Sequence, residues 1–297
     1  MTFRDGARLD PSRVQRRGRR RGGGIAIGGG VGGLLLVLAY VLLGGDPADL
    51  DTSGGSAGAE DPDTAAAFAE RCTTGADANA YDDCRVLGAI ESLDAYWSDV
   101  LPGLGHAFTP PGVVVFDEAT TGGCGAASAA TGPYYCPVDA TMYLDTSFVD
   151  ALAAYGFEDG PLAQLYVIAH EYGHHIESIT GALQAADRSG TGPDSDGVRI
   201  ELMADCLAGD WIGEASTVED PETGRPFLEP ITDQQLDNAL AAAEAVGDDR
   251  IQETVQGYVE PHSFTHGSSQ QRREAVILGY EQGAASCDAF GVFTDAA

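Results

Sequence analysis

The sequence predicts an α+β domain, mostly helical with a small sheet, behind a single N-terminal transmembrane helix. Three observations carry this expectation. Several stretches place apolar residues three and four apart, the spacing of a buried helix face, whereas only two short runs, GVVVFD and TMYLD, read as strands. An uncharged run of 19 residues, 25–43, follows a cluster of arginines and is close to the ~20 residues that span a bilayer. A length of 297 residues with 43 % hydrophobic content leaves room for such an anchor and one sizeable domain.

Taken in order, residues 1–21 form a basic tail. Of the 16 basic residues, all arginine, half lie here, at Arg4, Arg8, Arg13, Arg16, Arg17, Arg19, Arg20 and Arg21. Residues 22–45 are the expected anchor. Arginine collects on cytoplasmic flanks, so the N-terminus is expected in the cytoplasm and the domain outside it, at the cell membrane. A cleaved signal peptide is the competing reading. The basic region is long for one, and the nearest small-residue site, Ala57-Gly58-Ala59, lies far past the apolar run. Residues 46–63, rich in Gly, Ser and Asp, read as a flexible acidic linker. Residues 64–297 form the domain. The net charge of -30 is concentrated after the tail, and an acidic surface of that kind repels polyanions, so no nucleic-acid partner is expected.

The domain carries six cysteines, Cys72, Cys84, Cys124, Cys136, Cys206 and Cys287, an even number that suits disulfides in an exported protein. Local spacing favours Cys72 with Cys84 and Cys124 with Cys136, which leaves Cys206 with Cys287. None forms a C-x-x-C pair. Residues 83–101 have helical spacing through Val86, Leu87, Ile90, Leu93, Tyr96 and Trp97. Strands are expected at 112–117 and 141–145, with turn-rich sequence between them. Ser147 is placed to cap a short helix reaching Tyr155.

The next helix holds the most informative stretch, His170-Glu171-Tyr172-Gly173-His174, which reads H-E-x-x-H. Pro161 suits its first position and Gly181 the position past its end. Leu162, Leu165, Tyr166, Ala169, Gly173 and Ile176 form its buried stripe. Histidines four apart lie on one helix face, about 6 Å apart along the axis, where both can grip one Zn²⁺. Glu171, on a neighbouring direction, can take a proton from a zinc-activated water.

Downstream of a polar loop at 188–197, VRIELMADCLAGDWI puts Glu201 and Asp205 on one face of an otherwise apolar helix. Two acids in such a helix are costly to bury without compensation. A zinc ion with its histidines would provide it, with Glu201 as third ligand and Asp205 accepting the second N–H of a ligating histidine. A solvated acidic face is the alternative. Helices are also expected at 234–246 and 268–282. Between them, His262 and His266 read equally as loop histidines and as donors to an oxyanion; His266 is the candidate. His175 lies off the ligand face and His106 has no supporting context.

HEYGHHIE, ELMADCLAGDW, YYCPVDATMYLD and THGSSQQR, behind an arginine-rich anchor, resemble the bacterial neutral zinc metallopeptidase family over about residues 64–290. The resemblance implies a zincin-like domain with His170, His174 and Glu201 around one Zn²⁺ per chain. Among zincins, the metzincin pattern needs Gly and His where this chain has Glu177 and Thr180. An aspartate ligand would come from a residue such as Asp194, whose loop spacing fits poorly. The Glu201–Asp205 pair matches the glutamate class, similar to thermolysin-like enzymes. The expected function is membrane-anchored hydrolysis of peptide bonds in a protein or peptide substrate, with Glu171 as general base. By analogy with zincins, the strand near Met142, Tyr143 and Leu144 is expected to edge the cleft. A non-catalytic, membrane-tethered binding module that contains zinc is the alternative.

Overall fold

The computed structural model describes residues 2–18, 62–117, 119–128, 131–146 and 161–293. Helices α1 (Pro62–Arg71), α2 (Gly75–Ala80) and α3 (Asp82–Val100) precede the sheet, and α4 (Pro161–Thr180), α5 (Asp196–Glu214), α6 (Asp233–Ala245), α7 (Asp248–Gln256) and α8 (Ser269–Gln282) follow it. Side-chain caps set several starts: Ser195 accepts the Val198 N–H, and Thr232 and Ser268 form reciprocal capping boxes with Gln235 and Gln271. Helices α4 and α8 pack on α5 at backbone distance. A Cβ on Gly173 would sit 2.9 Å from the Ala204 backbone, and one on Gly279 would sit 1.8 Å from the Cys206 carbonyl oxygen. The aromatic side chains of Trp97, Trp211, Tyr166 and Tyr172 fill the core between these helices.

The main sheet has the order β1-β2-β6-β5, from β1 (Gln15–Arg17), β2 (Gly112–Phe116), β5 (Tyr134–Cys136) and β6 (Thr141–Asp145). β1 and β6 run parallel to β2, and β5 runs antiparallel to β6. The expected cleft-edging strand, β6, is therefore interior; β5 is the edge. The turn-rich stretch before β5 also holds a hairpin, β3 (Ala119–Gly122) with β4 (Gly125–Ser128). Its Gly, Ala and Thr residues carry no alternating apolar signal, so the pattern could not show it. Cysteines pair as Cys72–Cys84, Cys124–Cys136 and Cys206–Cys287, with Cα separations of 5.0, 5.8 and 5.5 Å. The helix expected from Ser147 lies outside the described residues.

The N-terminus corrects the sequence reading. No helix among the described residues is long and apolar enough to cross a membrane, and the expected anchor at 22–45 lies outside them. Residues read as a tail beyond that anchor belong to the domain instead. Phe3, Ala7, Leu9 and Val14 are buried in its core. Arg13 pairs with Asp94, Arg16 is bidentate to Asp117 at 2.7 and 2.8 Å, and Arg17 reaches Thr120. A hydrocarbon layer about 30 Å thick cannot separate segments that share one core. Among the described residues the fold is mostly helical with small sheets, and none of their helices supports the single transmembrane helix expected from the sequence. Arg13 and Arg16 resemble a membrane flank in sequence because their acidic partners lie some 80 to 100 positions away, beyond any local pattern.

One of these contacts has a pH signature. Glu91 on α3 accepts the Asp10 N–H at 2.6 Å. Burial, with Asp10, Asp94 and Asp220 nearby, pushes its carboxyl up to about 8 from an ordinary value of 4.5. A pKa raised in the folded state gives stability that is full below about 4.5 and lost as pH rises to about 8. Thermal melts of Glu91→Gln, which keeps the acceptor without the charge, are expected to lie above wild type near pH 8 and to converge with it towards pH 4.5. Parallel melting curves across that range would disprove the assignment.

Candidate metal centre

Pro161 opens α4 and Gly181, at φ +93°, ends it, so the H-E-x-x-H residues lie on its second half. The rings of His170 and His174 stand 4.7 Å apart at 80°. The cap at Ser195 starts α5 so that its second turn delivers Glu201 to the same place. Glu201 Oε2 lies 3.3 Å from His170 Nε2, and Oε1 lies 3.7 Å from His174 Nε2. One donor atom from each of the three side chains falls within 4.8 Å of the others. Burial opposes the charge on Glu201, but His174, His266 and His170 hold it well below the usual carboxylate range.

The other imidazole nitrogens are already engaged. His170 Nδ1 lies 2.7 Å from Asp205 Oδ1, and His174 Nδ1 lies 2.8 Å from Glu177 Oε2. When each Nδ1 donates to its carboxylate, both Nε2 lone pairs point at the Glu201 oxygens. These groups face one another only with positive charge between them, either a proton on each Nε2 or a metal ion. Burial depresses both imidazoles, yet the surrounding carboxylates outweigh it and raise His170 to about 10 and His174 to about 8. Two imidazoles and one carboxylate suit Zn²⁺ and leave a coordination position open. The other cluster of metal-binding residue types, Cys72, Asp83 and Cys84, has both sulfurs in a disulfide.

Asp205 is fully buried within a network. Arg272 from α8 places Nε 2.9 Å from Oδ2 and Nη2 2.9 Å from Oδ1, and the Tyr166 hydroxyl donates to Oδ1 at 2.5 Å. Glu177 is equally buried; burial pushes its carboxyl up to about 7, against the opposing pull of His174 and His170. Glu171 is buried beside the histidines; burial raises its pKa while His170 and His174 oppose the rise.

His266 reaches the same site through its loop. Asp248 Oδ2 accepts the backbone N–H groups of Thr265, His266 and Gly267 at 2.7, 2.7 and 3.0 Å. Gly267 takes φ +92°, a left-handed conformation suited to glycine. The His266 Nδ1 lies 2.8 Å from Thr265 Oγ1 and 3.5 Å from Asp248 Oδ1. Other candidates fall elsewhere. Asp194 and His262 are exposed, His175 bonds Thr109 and Tyr135, and His106 bonds Val292.

The sequence profile of the family described as "Putative neutral zinc metallopeptidase" matches residues 2–290. The chain belongs to this family. The neutral zinc metallopeptidase profile includes the N-terminal arm as well as the metal centre. The chain is 47 % identical over 222 residues to the uncharacterized protein Rv2575 of Mycobacterium tuberculosis, covering 74 % of each. It is 38 % identical over 208 residues to the uncharacterized protein YpfJ of Escherichia coli K12, covering 68 % of this chain and 69 % of that one. No solved structure matches the chain significantly.

Sequence reasoning missed Glu177, Arg272, Tyr166 and Asp248. Glu177 had a readable signal, since position i+3 from His174 on the same helix is within reach of its ring. Arg272 had one too, because a buried acid pair calls for a buried cation. Tyr166 and Asp248 had none. For Glu177 the expected outcome is a zinc affinity about 10- to 100-fold weaker in Glu177→Ala, measured by chelator competition, with a smaller loss in Glu177→Gln, which keeps an acceptor oxygen. Equal affinity in Glu177→Ala and wild type would remove it from the site.

Proposed function

We propose that the protein is a zinc-dependent peptidase in which His170, His174 and Glu201 hold the metal and Glu171 is the general base. The observation that carries this reading is the convergence of three donor atoms whose histidines are each oriented by a buried carboxylate, with Glu171 beside them. Bound zinc supplies Lewis acidity, polarising a carbonyl and lowering the pKa of a water to about 7. Glu171 takes the proton from the attacking water and passes it to the leaving amine. Its raised pKa suits both transfers. His266 has Nδ1 engaged by Thr265 and Asp248, which leaves Nε2 to donate to the developing oxyanion. Among the described residues no strand pairs with the outer edge of β5, next to α4, and an extended peptide main chain would pair there.

The test is cleavage of a denatured protein library by the purified chain, with zinc, with chelator and as the Glu171→Gln variant. Peptide-bond cleavage that requires zinc and disappears in the other two arms is expected. A zinc-loaded chain that cuts nothing would count against the peptidase reading.

A further inference from the structure

The arm at residues 2–18 is held more like a bound peptide than a tail. Phe3 exchanges two hydrogen bonds with the Asn79 side chain, at 2.9 and 2.8 Å. Its ring lies against Gly88, where a Cβ would meet it at 2.7 Å. The main chain bonds both halves of the domain, with Leu9 to Thr73 and Gly75 to Ala7 on one side and Arg4 to Phe227 and Glu229 to Thr2 on the other. β1 then extends the main sheet. Between these anchors, Arg13 pairs with Asp94, whose Oδ1 accepts the Tyr172 hydroxyl at 2.7 Å. Tyr172 is the residue after Glu171 in the H-E-x-x-H stretch. At its far end, Gly18 abuts Thr64, so the arm leaves its groove where the domain chain begins.

We propose that residues 2–18 are a built-in ligand of this groove, supplied by the chain's own N-terminus, and that Arg13 acts through Asp94 and Tyr172 as a positioning residue for the catalytic helix. The arm and the metal centre then lie on the same side of any bilayer. The groove's chemistry fits this occupant: a pocket for Phe3 floored by Gly88, the acids Glu229, Asp94, Asp83 and Asp117 for Arg4, Arg13 and Arg16, and the edge of β2 that β1 pairs with.

The experiment uses the full chain with a specific protease site inserted between residues 46 and 61. After cutting, the arm fragment is expected to co-elute with the domain, one per domain, at an unchanged melting temperature. Phe3→Ala with Arg13→Ala is expected to release it and lower the melting temperature. An arm that leaves the cut wild-type chain while the domain melts as before would overturn the proposal. Recovery of the fragment on a second, differently tagged copy would overturn the own-chain assignment. In the uncut chain, Arg13→Ala and Tyr172→Phe are each expected to lower peptide turnover about tenfold, without adding when combined, and Arg13→Lys to restore part of the loss. Fully additive losses would break the link from arm to helix. This last readout rests on the peptidase reading. If no form cuts peptides, that reading fails while co-elution and melting still judge the arm.

Discussion

Replacing Glu171 with glutamine is expected to leave zinc near one per chain and to lower peptide hydrolysis by about 10²-fold or more. The two properties separate because Glu171 is outside the trio of donors that converge within 4.8 Å. Glutamine keeps the size of the side chain and an oxygen that can accept a hydrogen bond, so the helix and the site should keep their shape. What it loses is the capacity to accept a proton. Zinc counted by elemental analysis, beside turnover on a peptide library, checks the outcome. Full turnover in Glu171→Gln would mean that the proton leaves by another route and that the base has been misassigned. Loss of zinc would make Glu171 a ligand.

Glu201→Ala is expected to lose zinc and activity together. Glu201 is the carboxylate toward which both Nε2 atoms point, and its removal leaves two imidazoles, one short of a three-ligand catalytic zinc site. Asp205→Ala is expected to lie between the two variants in zinc affinity, by about 10- to 100-fold from wild type. It carries a second cost. Arg272 would remain buried without its carboxylate, and breaking a buried ion pair from one side typically costs about 3–5 kcal/mol. Elemental analysis, turnover and a thermal melt together distinguish the roles. Glu201→Ala should lose zinc and keep most of its fold; Asp205→Ala should lose stability as well. Retention of zinc by Glu201→Ala would reject the glutamate ligand and turn attention to Asp205.

Much of the fold was legible from local pattern. The 3.6-residue spacing in α3 and α4, the apolar run of α5 with its acid pair, the β-branched run of β2, and the Pro161 and Gly181 boundaries are properties of neighbouring residues. The metal trio was legible for the same reason: His170 and His174 are one helical turn apart, and Glu201 stood out as an acid in an apolar helix. Weakly patterned elements were not legible. The Gly- and Ala-rich hairpin β3–β4 buries too little apolar surface to leave a periodic trace, and α7 (Asp248–Gln256) is short, with Ile251 and Val255 as its apolar side chains. The partners that orient the histidines divide along the same line. Glu177 sits within the motif helix, whereas Arg272 reaches Asp205 from 67 positions away and Asp248 reaches His266 from 18. The arm shows the limit most clearly. Eight arginines before an apolar run match a membrane flank in composition, and only folding brings Asp94 against Arg13, Asp117 against Arg16 and Gly88 against Phe3. Local sequence sets which residues can share a helix face. Which distant charges meet is decided when the core closes, because burial makes an unpaired charge too costly to leave alone.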